Sequence, residues 1–214
     1  MIKSRARRRL NSSPRALYMT SQAFEIFEYT IQDATELLNH FDALNTNPPP
    51  PKAEVLKRAS LVMALAALEV YIEDRIIEAA STVAGGNSNG GRLASFYRSS
   101  LENDLKYFHT PSTDRVRSIF QKYLEIDVTE GWTWNNYDPS RARSELNKIA
   151  KKRGDIAHRS LRPVAGQPAP HAVTRDELRK HIRFIRDLVS ATDKCLGTNS
   201  NNSLCSAPQT QNGI

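Results

Sequence analysis

The chain has 214 residues and a mass of 24.1 kDa, with 39% hydrophobic and 25% charged residues, the balance of an ordinary globular protein rather than a fibrous or wholly disordered one. That length accommodates one domain with a full hydrophobic core and barely two, and the longest apolar run, Leu61 to Leu68, falls far short of the ~20 residues that a membrane-spanning helix requires. The formal charge of +7 concentrates at two places: residues 1–15 carry six cations and no acid, and residues 141–162 carry eight cations against Glu145 and Asp155, while residues 16–140 are net acidic.

Residues 1–19 read as a basic, disordered arm. Its arginines fit a solvated tail first, and a polyanion-binding arm or a mitochondrial-type targeting segment as the other readings. It has no apolar stretch of the secretory kind, so no export is expected. The spacing of Phe24, Phe27, Ile31, Ala34, Leu37, Leu38 and Phe41 predicts a helix over 21–41, which the proline run 48–51 keeps from continuing. A second helix, over about 52–83, is apolar on every side between Leu61 and Leu68, as befits a central helix. The glycine- and asparagine-rich run 85–91 ends it in a loop.

Helices over about 93–108 and 112–124 follow, the latter opened by Pro111-Ser112-Thr113-Asp114 with its N-capping oxygens. A turn spans Trp132 to Pro139, and its aromatic residues Trp132, Trp134 and Tyr137 read as anchors of that loop, with stacking on bases as the lesser reading. A fifth helix starts near Ser140. A sixth, over 174–196, opens with Thr174 and Glu177 in capping-box register. Residues 197–214 read as a disordered polar tail, so the single domain covers 20–196 and is an all-α bundle of about six helices. The two cysteines, Cys195 and Cys205, lie at or beyond the last helix and fit a reducing cytoplasm. No metal-ligand spacing, P-loop, Gly-x-Gly-x-x-Gly or nucleophile elbow occurs, so no metal or other cofactor is expected.

The chemistry concentrates on the fifth helix. Ala142, Leu146, Ile149, Ala150, Ile156 and Ala157 form one apolar stripe, and Arg153 interrupts it. A guanidinium cannot shed its proton, so an arginine on such a stripe must meet an acid, a phosphate or a partner surface. Glu69, which breaks the apolar line of Val62, Leu65 and Ile72 on the second helix, is the expected partner inside the fold. His158 lies five residues after Arg153, about 140° away on a regular helix, so the two converge only through a local distortion, which Gly154 would permit, or across two chains.

The string Lys152-Arg153-Gly154-Asp155-Ile156-Ala157-His158-Arg159 resembles the Arg-x(4–6)-His signature of HEPN domains, in particular the bacterial RiboL-PSP type with four residues between arginine and histidine. The segments Ala67 to Ile72, Thr110 to Ser112 and Ile119-Phe120 also resemble that family, over about residues 20–195. Gly154 stands where asparagine is usual and Arg159 where glycine is common. The resemblance implies a homodimer whose paired motifs line one cleft and cut RNA without metal, as a toxin, a phage-defence protein or an RNA-processing enzyme. In that reading His158 transfers protons, Arg153 holds the phosphate, Asp155 and Glu69 support them, and Lys151, Lys152 and Arg159 help to hold RNA. A non-catalytic HEPN module that binds RNA, a nucleotide or a partner protein remains open beside it. An antitoxin or a neighbouring effector protein is the expected regulatory partner.

Overall fold

The computed structural model describes residues 20–44, 46, 50, 53–85, 91–158 and 173–198. Six helices run in order: α1 (Gln22–Leu44), α2 (Glu54–Gly85), α3 (Gly91–Leu105), α4 (Thr113–Leu124), α5 (Pro139–His158) and α6 (Arg175–Thr198). A 3-10 turn, Val128–Gly131, joins α4 to the stretch before α5. The only other bridge among the described residues is the antiparallel pair Trp134 and Tyr137. An all-α domain is thus observed, with helix ends within three residues of those expected. The arm 1–19, the tail beyond 198 and the loop 86–90 lie outside the described residues.

α2 packs against each of the other five helices. Leu61, Leu65, Leu68, Tyr71, Ile72 and Ile76 are fully buried, each contributing about 1.5–3 kcal/mol of transfer free energy. Its burial is not complete, however. Val55, Met63, Val70 and Ile77 form an exposed apolar line down one face. α1 presents Phe27, Ile31, Ala34, Leu38 and Phe41 to the core at helical spacing, and α6 adds Leu178, Ile185, Leu188 and Val189.

Buried polar groups fasten these helices at one end. Asp193 of α6 accepts a hydrogen bond from Arg75 Nε of α2 at 2.8 Å and one from Ser21 Oγ at 2.5 Å. Ser21 Oγ in turn accepts from the Phe24 N–H at 3.0 Å, and the Glu78 carboxylate accepts from the N–H groups of Gln22 and Ala23. The first turn of α1 is therefore capped from its own sequence and from α2 together. α6 opens on the expected reciprocal capping box, in which the Glu177 N–H donates to Thr174 Oγ1 and the Thr174 N–H to the Glu177 carboxylate.

Two local expectations change. Ser112 makes no side-chain cap on α4. Instead, Asn147 of α5 accepts from the Thr113 N–H at 2.9 Å and Thr113 Oγ1 donates to the Arg143 carbonyl at 3.0 Å, so this helix start is capped by tertiary contact. Trp132 is fully buried with its indole N–H donating to Thr192 Oγ1 at 2.9 Å, while Trp134 and Tyr137 stack on each other and lean on Phe184. These aromatics are spent on packing, which removes Trp132 as a platform for a base. Cys195 is buried near the end of α6, and Cys205 lies outside the described residues.

Asp193 and Arg75 are nearly inaccessible, and removing one partner strands the other charge in a medium that solvates it poorly. Asp193→Ala is expected to lose about 3–5 kcal/mol of stability, measured by urea denaturation; a loss below about 1 kcal/mol would show that water reaches Arg75.

Candidate functional site

α5 opens at Pro139, which suits the first helical position, with Asp138 accepting from the Arg141 N–H at 2.9 Å. Its first half is anchored all round. Ala142, Leu146 and Ile149 are fully buried, Asn147 holds α4, and Arg143 donates from Nε to Thr129 Oγ1 at 2.9 Å and from Nη2 to Glu130 at 2.5 Å. The helix then runs without a break through Gly154 to His158. The distortion that the glycine would permit is not there, so a regular turn separates Arg153 from His158 by about 140°.

Arg153 continues the line of Leu146 toward α2, at half-burial. It stands within electrostatic reach of Glu69, yet among the described residues it forms no hydrogen bond or close ion pair. The expected internal pair is therefore a loose one. Half-burial explains it, since water still reaches the guanidinium and no direct partner is required. Burial pushes the Glu69 carboxyl above its ordinary range, and the charges of Arg153, His109 and Arg115 pull it back only in part. Glu73 and Asp74 next to it are likewise raised, chiefly by burial and then by their acidic neighbours. Of these three acids, Glu69 is the one that feels cations from three other segments.

The remaining expected residues divide. Asp155 is half-buried and Lys151 is exposed. Lys152 points to α6 and pairs with the Glu177 carboxylate, which makes it a structural tie rather than a ready phosphate contact. Arg141, Arg143 and Lys148 also have protein partners, so the cationic stretch 141–162 offers less open charge than its count suggests. The side chain of His158 and the whole of Arg159 lie outside the described residues.

Two residues that sequence reasoning passed over join the site. His109, exposed in the link between α3 and α4, and Arg115, on the first turns of α4, both act on Glu69. Arg115 Nη1 donates to the Tyr107 carbonyl at 3.3 Å, which folds α4 back on that link. No periodic pattern marks either residue; the one signal was the position of His109 directly before the Thr110-Pro111 helix start. Elsewhere a cavity between α5 and α6 is lined by Tyr137, Glu145, Glu177, Lys180, His181 and Phe184. His181 is buried there, its imidazole held below the usual range by burial against the opposing pull of Glu177 and Glu145. Among the described residues no group of three or more His, Cys, Asp and Glu side chains is placed to hold a metal, and no helix is long and apolar enough to cross a membrane.

A family model described as RiboL-PSP-HEPN matches residues 29–198 of the chain. No curated protein and no solved structure matches it.

Two outcomes are expected. A carboxyl raised on folding stabilises most below its unfolded value, near 4.5, and loses that contribution as pH rises through the folded value. Glu69→Gln should therefore melt at or above the wild-type temperature at pH 7, the gap closing below about pH 4.5 in thermal scans. At Gly154 an added Cβ meets nothing within 4 Å, so Gly154→Ala should gain about 0.5–1 kcal/mol in denaturant titration. A loss there would mean the glycine holds a shape that a regular helix lacks.

Proposed function

Because the chain belongs to the RiboL-PSP-HEPN family, whose fold points to a nuclease or other RNA-related role, we propose that it is a metal-independent endoribonuclease working as a homodimer. The observation that carries this reading is Arg153: a permanent cation on the core-facing line of α5, at half-burial, with no close partner among the described residues. Such a group is prepared to meet a phosphate, whose oxygens a guanidinium binds in a bidentate fork.

The reaction assigned is attack of a ribose 2′-hydroxyl oxygen on the adjacent phosphorus. The O2′–P bond forms as a base takes the hydroxyl proton, and the P–O5′ bond breaks as an acid gives a proton to the leaving oxygen. The products are a 2′,3′-cyclic phosphate and a 5′-hydroxyl. Arg153 stabilises the charge that develops on the equatorial oxygens, and His158 transfers protons, a role worth about 10² to 10⁴ in rate. Asp155 and Glu69 support the two, and Lys151 and Arg159 hold the flanking backbone. Lys152 is left out of that set by its pair with Glu177.

Two features support assembly across chains. A regular α5 separates arginine from histidine within one protomer, and the exposed line Met63, Val70 and Ile77, at seven-residue spacing on the helix that carries Glu69, suits a second copy. A toxin, phage-defence or RNA-processing role, restraint by an antitoxin or effector partner, and a cytoplasmic location complete the reading.

Purified wild-type and His158→Ala protein, incubated with labelled single-stranded RNA in excess EDTA, test it. Cleavage with cyclic-phosphate ends, reduced at least 100-fold in the variant, is the expected result. Absence of cutting by the wild type, with salt-dependent RNA retention, would instead favour the non-catalytic module that Gly154 suggests.

A further inference from the structure

We infer that Glu177 of α6 is a positioning residue for Arg153, acting through Lys152 across the seam between α5 and α6; its part in the reaction rests on the nuclease reading. The seam itself is open. α5 rests on α2 and α4, and α6 rests on α2 and α1. Between α5 and α6 lies the cavity lined by Tyr137, Glu145, Lys180, His181 and Phe184. Long polar side chains, rather than close helix packing, span it.

Glu145 and Lys152 lie seven residues apart and share one face of α5; Glu177 and His181 lie four apart and share one face of α6. The two pairs interlock. Lys152 Nζ donates to Glu177 Oε1, the same oxygen stands 3.5 Å from His181 Nε2, and His181 Nδ1 stands 3.8 Å from Glu145 Oε1. His181 is only 7% exposed, which gives this clasp a fixed depth. Glu177 is fixed as well, because its other oxygen accepts from the Thr174 N–H at 3.4 Å and its own N–H donates to Thr174 Oγ1 at 3.2 Å. Burial pushes the Glu177 carboxyl up, but the hydrogen bond and charge of Lys152 outweigh it and hold the group below its ordinary range, so it is ionised at neutral pH.

The clasp closes where α5 needs it. The last carbonyls of a helix lack partners within it, and Gly154 adds backbone freedom, so the turns after Ala150 fray unless side chains hold them. Ile156 packs against the core there, and Lys152 supplies the tie to α6. Arg153, half-buried and with no close partner among the described residues, does not fix its own place. Successive residues of a helix point about 100° apart. Holding Lys152 toward α6 therefore holds Arg153 on the line that faces α2, and a displacement of about 1 Å at such a group costs about 10² in rate.

The test compares the full-length wild type with Glu177→Gln, Lys152→Met, Lys152→Arg and the double variant Glu177→Gln/Lys152→Met. A glutamine serves the capping box as a glutamate does, so Glu177→Gln removes the ion pair and leaves the helix start intact. The expected result is a fall of kcat on labelled single-stranded RNA of about 10- to 100-fold in Glu177→Gln and in Lys152→Met. Lys152→Arg stays near wild type, and the double variant is no slower than the slower single one. Affinity for an unreactive 2′-deoxy analogue of the RNA stays within about threefold, and the melting temperature moves little, since a pair partly open to water contributes little to stability. Amide hydrogens of residues 153–157 exchange about tenfold faster or more in both single variants, while those of 141–149 do not change. Unchanged exchange in Glu177→Gln overturns the inference, and so does faster exchange with an unchanged kcat. Weaker RNA binding confined to Lys152→Met makes Lys152 a phosphate contact and overturns it too. A wild type that cuts no RNA overturns the nuclease reading, and the exchange pattern alone then decides whether Glu177 holds this half of α5 in place.

Discussion

Charge on a buried helix must be answered by its neighbours, and in this fold that constraint falls on α2. Every other helix rests on it, yet it carries Glu69, Glu73, Asp74, Arg75 and Glu78 within ten residues. Each is met differently. Arg75 is sealed against Asp193, where both charges are desolvated and each requires the other. Glu78 faces the open N–H groups of α1, whose positive end favours a carboxylate. Among the described residues Glu69 has no close partner of its own and relies on three cationic groups at a distance. The first two arrangements close and stabilise the bundle. The third stays open, and it is there that the motif helix arrives.

Periodicity made the helices legible, because a core-facing stripe repeats every three or four residues whatever surrounds it. The Thr174–Glu177 box was legible for the same reason: both partners lie within one turn. What the sequence hid was long-range. Asn147 capping α4, Glu78 capping α1 and Lys152 tied to Glu177 each join residues more than 20 positions apart, and nothing in local pattern distinguishes such a lysine from one reserved for a ligand. Arg153 stood out because it breaks a stripe. His109 breaks none, so only the folded chain brings it within electrostatic reach of Glu69.

The expectation of a direct Glu69–Arg153 pair failed by degree rather than by direction. The helical register correctly brought the two toward each other, but register gives no depth. At half-burial the penalty that would force contact is absent, and an arginine left in loose company retains the donors that a closed salt bridge would occupy.

The division of α5 into an anchored first half and a second half that carries the Arg-x4-His string has a consequence for how such a chain can change over generations. Residues 141–149 hold the helix through Thr129, Glu130, Thr113 and the core, whereas of 153–158 only Ile156, among the described side chains, packs against that core, so the fold relies far less on what stands there. Selection for a protein that merely folds and persists leaves the motif unguarded. On the proposed nuclease reading, activity is therefore lost by drift in a chain that still folds and remains abundant.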